Sequence, residues 1–363
     1  MRHLHRVTIL TLTLALVVAA CGDGDVGEDT TTTAVEETTT TEVPEELTLM
    51  AHESFAEAVD DSTFGPFTEA TGIAVDVLAS DDAGTLVNQA ALSADNPLAD
   101  VLFGVDDTFL SRAINEGIFR PHESENLDTV PDDLHHPDNL VTPIDYGDVC
   151  FNYDKEWFES NDVEVPDDLE DLTSEEYAPF VTVEHPATSS PGLAFMLATI
   201  DTFGEDGWLD WWQQMKDAGV NIANDWNTAY YSDFTRYDGE SSIVMSYASS
   251  PPAEVIFSEE PLDEAPTGVI ESGCYRQVEY AGVLDGTDYP GAAGELVDYM
   301  LSVEFQEMIP LKWFVFPTNQ DAELPQEFVE HTTIPESPTR LGSDEIAENR
   351  DGWIDEWIAV MEG

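Results

Sequence analysis

A chain of 363 residues has room for two domains of ordinary size, and 42% hydrophobic residues supply a core. Against 76 acidic side chains stand only 11 basic ones, a net charge of −65, with no run of Lys and Arg anywhere. That balance argues against nucleic acid as a partner, since phosphates would be repelled. It suits either a solvated surface in a salty medium or attraction of cationic ligands.

The N-terminus reads as a targeting segment. Arg2 and Arg6 precede an apolar run, Val7 to Val18, that is too short for a permanent membrane span. Val18-Ala-Ala-Cys21 then matches a lipoprotein cleavage box, which makes residues 1–20 a signal peptide and Cys21 the lipidation site; a plain secretory signal is the alternative. Residues 21–46 carry two Thr quartets and many acids, with almost no bulky apolar residue, and are expected to form a disordered tether. Beyond Cys21 only Cys150 and Cys274 remain, on the oxidising side of the membrane, and a disulfide between them is expected.

The folded part opens with a strand at Leu47–Ala51 and a helix at Phe64–Ala70 that stops at Gly72. Strands at Ile73–Leu78 and Asp100–Val105 alternate with helices at Thr85–Ala94 and Phe109–Glu116. Such alternation predicts an α/β arrangement with a mainly parallel sheet. Ligands on such sheets sit at the carboxyl ends of the strands, here His52-Glu-Ser54, Ser80-Asp-Asp82 and Asp106-Asp107. Polar loops at strand ends are also the ordinary case.

Pro143–Asp154 reads as an extended strand able to leave the first lobe and enter a second. Residues 155–180 are acidic and loop-rich, with a helix expected near Ser174–Tyr177, and Phe180–Val183 is the next strand. Ser190 before Pro191 predicts a helix cap and a helix to about Phe203, whose free N–H groups either bind an anionic oxygen or are merely capped. Trp208, Trp211 and Trp212 share one helical face. Asn224–Pro251 concentrates Trp226, Tyr230, Tyr231 and Tyr247 among serines, in turn-like chain and after a short β-branched run. Rings so placed suit a flat or cationic small molecule, or fill the edge of a core. Gly273–Gly282 is a further strand, Ala293–Val303 and Phe305–Ile309 are helices, Lys312–Pro317 is an aromatic loop, and Glu345–Met361 is an amphipathic last helix.

The segments DYGDVCFNYDK, HPATSSPGLAF, NDWNTAYY, MSYASSP, RQVEYAG and IPLKWFVFP, in that order, resemble the thiamine-binding solute-binding proteins of ABC importers over nearly all of residues 47–357. The resemblance implies an α/β, two-lobed periplasmic-binding-protein-like fold of type II, with residues 47–145 and 278–317 in one lobe and 146–277 and 318–363 in the other. It implies an extracytoplasmic, lipid-anchored monomer that closes on thiamine or its phosphates and delivers it to a membrane permease. Neither enzymatic activity nor a cofactor or metal is expected.

Carried over by position, Asp82 resembles the acid that pairs with the aminopyrimidine, and Asp106 ends the neighbouring strand. Ser189 and Ser190 fall where the family holds the hydroxyethyl or phosphate end, with Trp226 and Tyr247 around it. His52 stands where the family often has Tyr, and Phe314, beside Trp313, where it often has Trp. A family Tyr after the SYxxSP run is replaced by Pro252 and Ala253. The competing binding reading is a ferric-iron carrier using Tyr230 and Tyr231 with His52. For an exported hydrolase the chain offers neither G-x-S-x-G nor H-E-x-x-H.

Overall fold

The computed structural model describes residues 43–258 and 261–363. The expected signal peptide, Cys21 and nearly all of the tether lie outside the described residues. Glu46, counted with the tether, is the first residue of the first strand.

Among the described residues nine strands form one sheet: β1 (Glu46–His52), β2 (Ala74–Ser80), β3 (Val101–Asp106), β4 (Thr142–Asp154), β5 (Val181–Glu184), β6 (Asn221–Ala223), β7 (Ile243–Tyr247), β8 (Thr267–Val283) and β9 (Phe316–Pro317). The order is β2-β1-β3-β8-β4-β7-β5-β6, with β9 on β4. β1 runs parallel to β2 and β3, and β5 runs parallel to β6 and β7. The two parallel sets, each flanked by helices, are joined by the long antiparallel pair of β4 and β8. Parallel strands are covered on both faces, which is why β3 is buried along its whole length.

Alternation along β1 divides the packing. Leu47, Leu49 and Ala51 face a cluster with Phe55, Phe64 and Phe103, while Met50 faces the larger core on the other side. That larger core continues under the helices Ser190–Phe203, Trp208–Ala218 and Ser343–Met361. Trp208, Trp211 and Trp212 are buried together, and Trp212 meets Trp357 of the last helix edge to face at 5.5 Å. The Trp211 indole N–H reaches Leu169 O at 2.8 Å and that of Trp212 reaches Thr199 Oγ1 at 3.0 Å, whereas the Trp357 indole N–H is buried without a partner.

Several local expectations are corrected. Ser174–Tyr177 is a turn, flanked by single 3-10 turns, and the helix of this region is Lys155–Asn161. Its start is set by Asp154, whose carboxylate accepts the Glu156 and Trp157 amides. A helix at Glu53–Ala58 was not expected from the sequence. The helix placed at Ala293–Val303 is Pro290–Met300, because Ser302 caps a separate turn at Val303–Gln306, and Pro310 opens another at Ile309–Lys312. Cys150 on β4 and Cys274 on β8 are disulfide-bonded, with Cα atoms 4.6 Å apart and a sequence separation of 124.

Candidate functional site

The carboxyl ends of β1, β2 and β7, the start of the Ser190–Phe203 helix and the chain before β9 surround one cavity of about 310 Å³, the size of a small-molecule site. His52, Asp82, Ser190, Trp226, Tyr247 and Phe314 all line it. Ser189 and Asp106, also expected at the ligand, do not: both are fully buried behind the wall.

The reason is visible in their bonds. Ser189, and not Ser190, caps the Ser190–Phe203 helix by accepting the Gly192 amide. Asp106 accepts the Phe109 amide at 3.2 Å, the Thr108 hydroxyl at 2.7 Å and Gln277 Nε2 at 2.6 Å. Gln277 then relays to the cavity. Its Nε2 also donates to Ser190 Oγ at 2.8 Å, and its Oε1 accepts the Tyr247 hydroxyl at 2.7 Å. Asp106 therefore orients Gln277 and, through it, two side chains of the wall.

Two glycines let the wall close. Gly104, at φ +93°, lies under His52, where a Cβ would come within 2.1 Å of the imidazole. Gly84 abuts the backbone at Ala187 and Thr188, and a Cβ there would sit 2.7 Å from a carbonyl oxygen. That approach brings Asp82 beside Ser189 and Ser190. Asp82 Oδ1 caps its own helix through the Ala83 amide at 2.7 Å, while Oδ2 is buried without a hydrogen bond. Burial pushes the Asp82 pKa up, against the Ala83 amide, His52, the Ser189 hydroxyl and the Ser190 amide, which favour the charged form.

His52 caps the Glu53–Ala58 helix: its Nδ1 accepts the Phe55 amide at 3.2 Å, and Nε2 faces Glu279 Oε1 at 3.4 Å. Burial favours neutral imidazole, but Glu279, Asp82 and Asp106 outweigh it and raise the pKa. Protonation at Nδ1 gives up the Phe55 bond, so the charged form forfeits its cap.

The aromatic wall is held from behind. Trp226 stacks on Tyr230 at 5.2 Å and 14°, and its indole N–H donates to Ser246 Oγ at 2.9 Å. The Tyr230 and Tyr237 hydroxyls both donate to Glu254 Oε1, at 2.9 and 2.7 Å, and Arg236 Nε meets Oε2 at 3.2 Å. Trp226–Thr228 is one helical turn that runs into a π-helical turn, Ala229–Asp233. That geometry sends Tyr230 inward and leaves Tyr231 49% exposed at the mouth.

Sequence reasoning missed Gln277, Glu279, Glu254 and Lys312. Gln277 and Glu279 are two apart on β8 and so share a face, a parity visible in the sequence. Which parity faces the cavity was not, because both faces of this stretch are covered. Among the described residues, no group of three or more His, Cys, Asp and Glu is placed to hold a metal ion.

Buried acids under the cavity carry a pH signature. Burial, and then the neighbouring Asp107 charge, push Asp106 up to about 7, and burial also raises Asp107 despite Arg340. An acid whose pKa is higher when folded keeps its proton longer in the native state, so stability is lost as pH rises from its ordinary range toward about 7. Urea unfolding at constant salt is expected to show lower stability at pH 8 than at pH 5, with a flatter slope in Asp106→Asn. A wild-type stability that climbs across this range contradicts the assignment.

The family model for bacterial extracellular solute-binding proteins matches residues 96–349. The thiamine-binding periplasmic protein of Escherichia coli (strain K12) is 29% identical over 319 residues, covering 86% of this chain and 92% of its own. A solved structure of a periplasmic thiamin binding protein superposes with a TM-score of 0.77 at 27% identity, covering 87% of this chain and 96% of that one. Iron-bound HitA from Pseudomonas aeruginosa shares the fold, with a TM-score of 0.71 at 20% identity over 87% of this chain and 99% of its own.

Proposed function

The chain belongs to the bacterial extracellular solute-binding protein family, and we propose that it is the thiamine-capturing component of an ABC importer. The observation that carries this reading is the pairing of an aromatic wall with acidic groups in one cavity. Thiamine has a positively charged thiazolium, which favours π faces and carboxylates, and an aminopyrimidine whose amine seeks an acceptor. Trp226, Tyr231, Tyr247 and Trp313 offer the first, and Asp82, with one oxygen unpartnered, offers the second.

Capture proceeds by closure of two halves, 47–145 with 278–317 against 146–277 with 318–363. The boundaries fall where Asp145 pairs with Glu279 and Tyr146 with Val278, on neighbouring rungs of β4 and β8. A ligand touching both halves shifts the balance toward the closed form by its extra affinity for that form. Lipid on Cys21 would keep the loaded monomer beside its permease. The iron reading finds less support, because the Tyr230 hydroxyl, one of the two phenolates it requires, is engaged by Glu254.

Calorimetric titration with thiamine, its phosphates and Fe(III) tests the reading. Thiamine is expected to bind and to quench tryptophan fluorescence; a coloured iron complex without thiamine binding would replace this function with iron carriage. Asp82→Asn is expected to weaken thiamine more than a thiazole-only fragment, since the lost charge faces the aminopyrimidine. Equal losses for both ligands count against that role.

A further inference from the structure

The sheet places three carboxylates side by side beneath the cavity. Glu279 on β8 is in register with Asp106 on β3 to one side and with Asp145 on β4 to the other. Like charges directly opposite on neighbouring strands oppose sheet pairing. No described Lys or Arg ion pair involves the rung: Arg276 pairs with Asp148, Arg340 with Asp107, Arg236 with Glu254, Arg350 with Asp351, and Lys312, itself in the cavity wall, with Asp60. The rung thus has no fixed cation of its own.

The outer members are engaged or shielded. Asp106 is bonded to Gln277 and Thr108. Asp145 is 1% exposed; its Oδ2 accepts the Trp313 indole N–H at 3.3 Å, no donor reaches its buried Oδ1, and burial together with the adjoining Glu279 carboxylate raises its pKa well above the ordinary range, toward a protonated form that bonds to Glu279. Only the central member, Glu279, reaches the cavity, with its side chain 13% exposed. Its one ion-pair contact among the described residues is His52 at 3.4 Å, which neutralises it only by surrendering the bond to the Phe55 amide. Tyr247 and Trp313 line the same cavity as Glu279.

We propose that Glu279 is the ligand-binding carboxylate that receives the ligand's positive ring, so that the bound cation compensates the one member of the Asp106–Glu279–Asp145 rung that is open to the cavity. The inference rests on the thiamine reading and adds a discriminating residue to it. A buried carboxylate without a Lys or Arg partner gains most from a cation delivered into the same dry space, because screening there is weak. The site therefore recognises thiamine by its permanent charge as well as by its shape. A neutral ring of the same outline fills the aromatic walls and leaves Glu279 uncompensated.

The probes are thiamine and its thiophene isostere, in which the charged thiazolium is replaced by a neutral ring, titrated calorimetrically against the full-length protein. Wild type is expected to prefer thiamine by at least tenfold. In Glu279→Gln, which keeps size and removes the charge, thiamine affinity is expected to fall at least tenfold, with the isostere changed less than threefold. Equal affinity of wild type for the two probes overturns the proposal without any variant, so a folding defect in Glu279→Gln cannot shelter it. Parallel losses for both probes in a folded Glu279→Gln also overturn it. Failure of wild type to bind either probe instead removes the thiamine reading itself.

Discussion

Replacing Trp226 by Ala is expected to weaken thiamine binding by about 1–3 kcal/mol, the scale of a lost stacking or cation–π anchor. The ring is half-buried, flat against Tyr230, edge-on to Tyr231 at 5.4 Å, and fixed at its far end by Ser246. Its orientation is therefore set before a ligand arrives, and little ordering cost offsets the contact. Removing it also uncovers Tyr230 and leaves a cavity that a small ligand cannot fill. Trp226→Phe separates the contributions: it keeps an aromatic face, loses the Ser246 bond, and is expected to cost less than the Ala change. Calorimetry on both variants decides the matter. Unchanged affinity in Trp226→Ala removes the indole from the site, and equal losses in the two variants make the Ser246 bond, and not the face, the important part.

Where periodicity is strong and turn residues are unambiguous, the chain could be read directly. The alternation from Leu47 to Glu116 yields the parallel set β2-β1-β3, and the tryptophan spacing at Trp208, Trp211 and Trp212 yields a buried helix face. His52 and Asp82 reach the cavity because strand ends in such sheets converge on one side. The same rule overreached at Asp106. It too ends a strand, but its carboxylate is drawn inward to three donors, and whether such an acid turns toward ligand or toward protein depends on residues distant in sequence, here Gln277.

Acid content hid other signals. With 76 Asp and Glu in the chain, Asp154 as a helix cap and Glu254 as the support of the aromatic wall look like any other acids. Glu279 became meaningful only when register put it between Asp106 and Asp145. No local pattern carries that information, because strand pairing across about 170 residues of chain sets it.

Breaking the Cys150–Cys274 bond is expected to lower unfolding free energy by about 2–5 kcal/mol, the range for removing a native disulfide. The bond joins β4 to β8 and closes a loop 124 residues long in sequence, so its main effect is to restrict the unfolded chain. Both sulfurs are buried beside Ala248 and Val269, away from the cavity wall. Reducing wild type therefore isolates the cross-link, whereas Cys150→Ala with Cys274→Ala adds the effect of two small voids. The unfolded state should be more open once the link is gone, so the urea m-value is expected to rise as the midpoint falls. Thiamine affinity measured well below the unfolding transition is expected to stay within about threefold, a change under 1 kcal/mol. An unchanged midpoint under full reduction would mean that the paired strands alone hold this junction. A large loss of affinity with little loss of stability would show instead that the link fixes the spacing of β4 and β8, and through it the placement of Tyr247, Gln277 and Glu279.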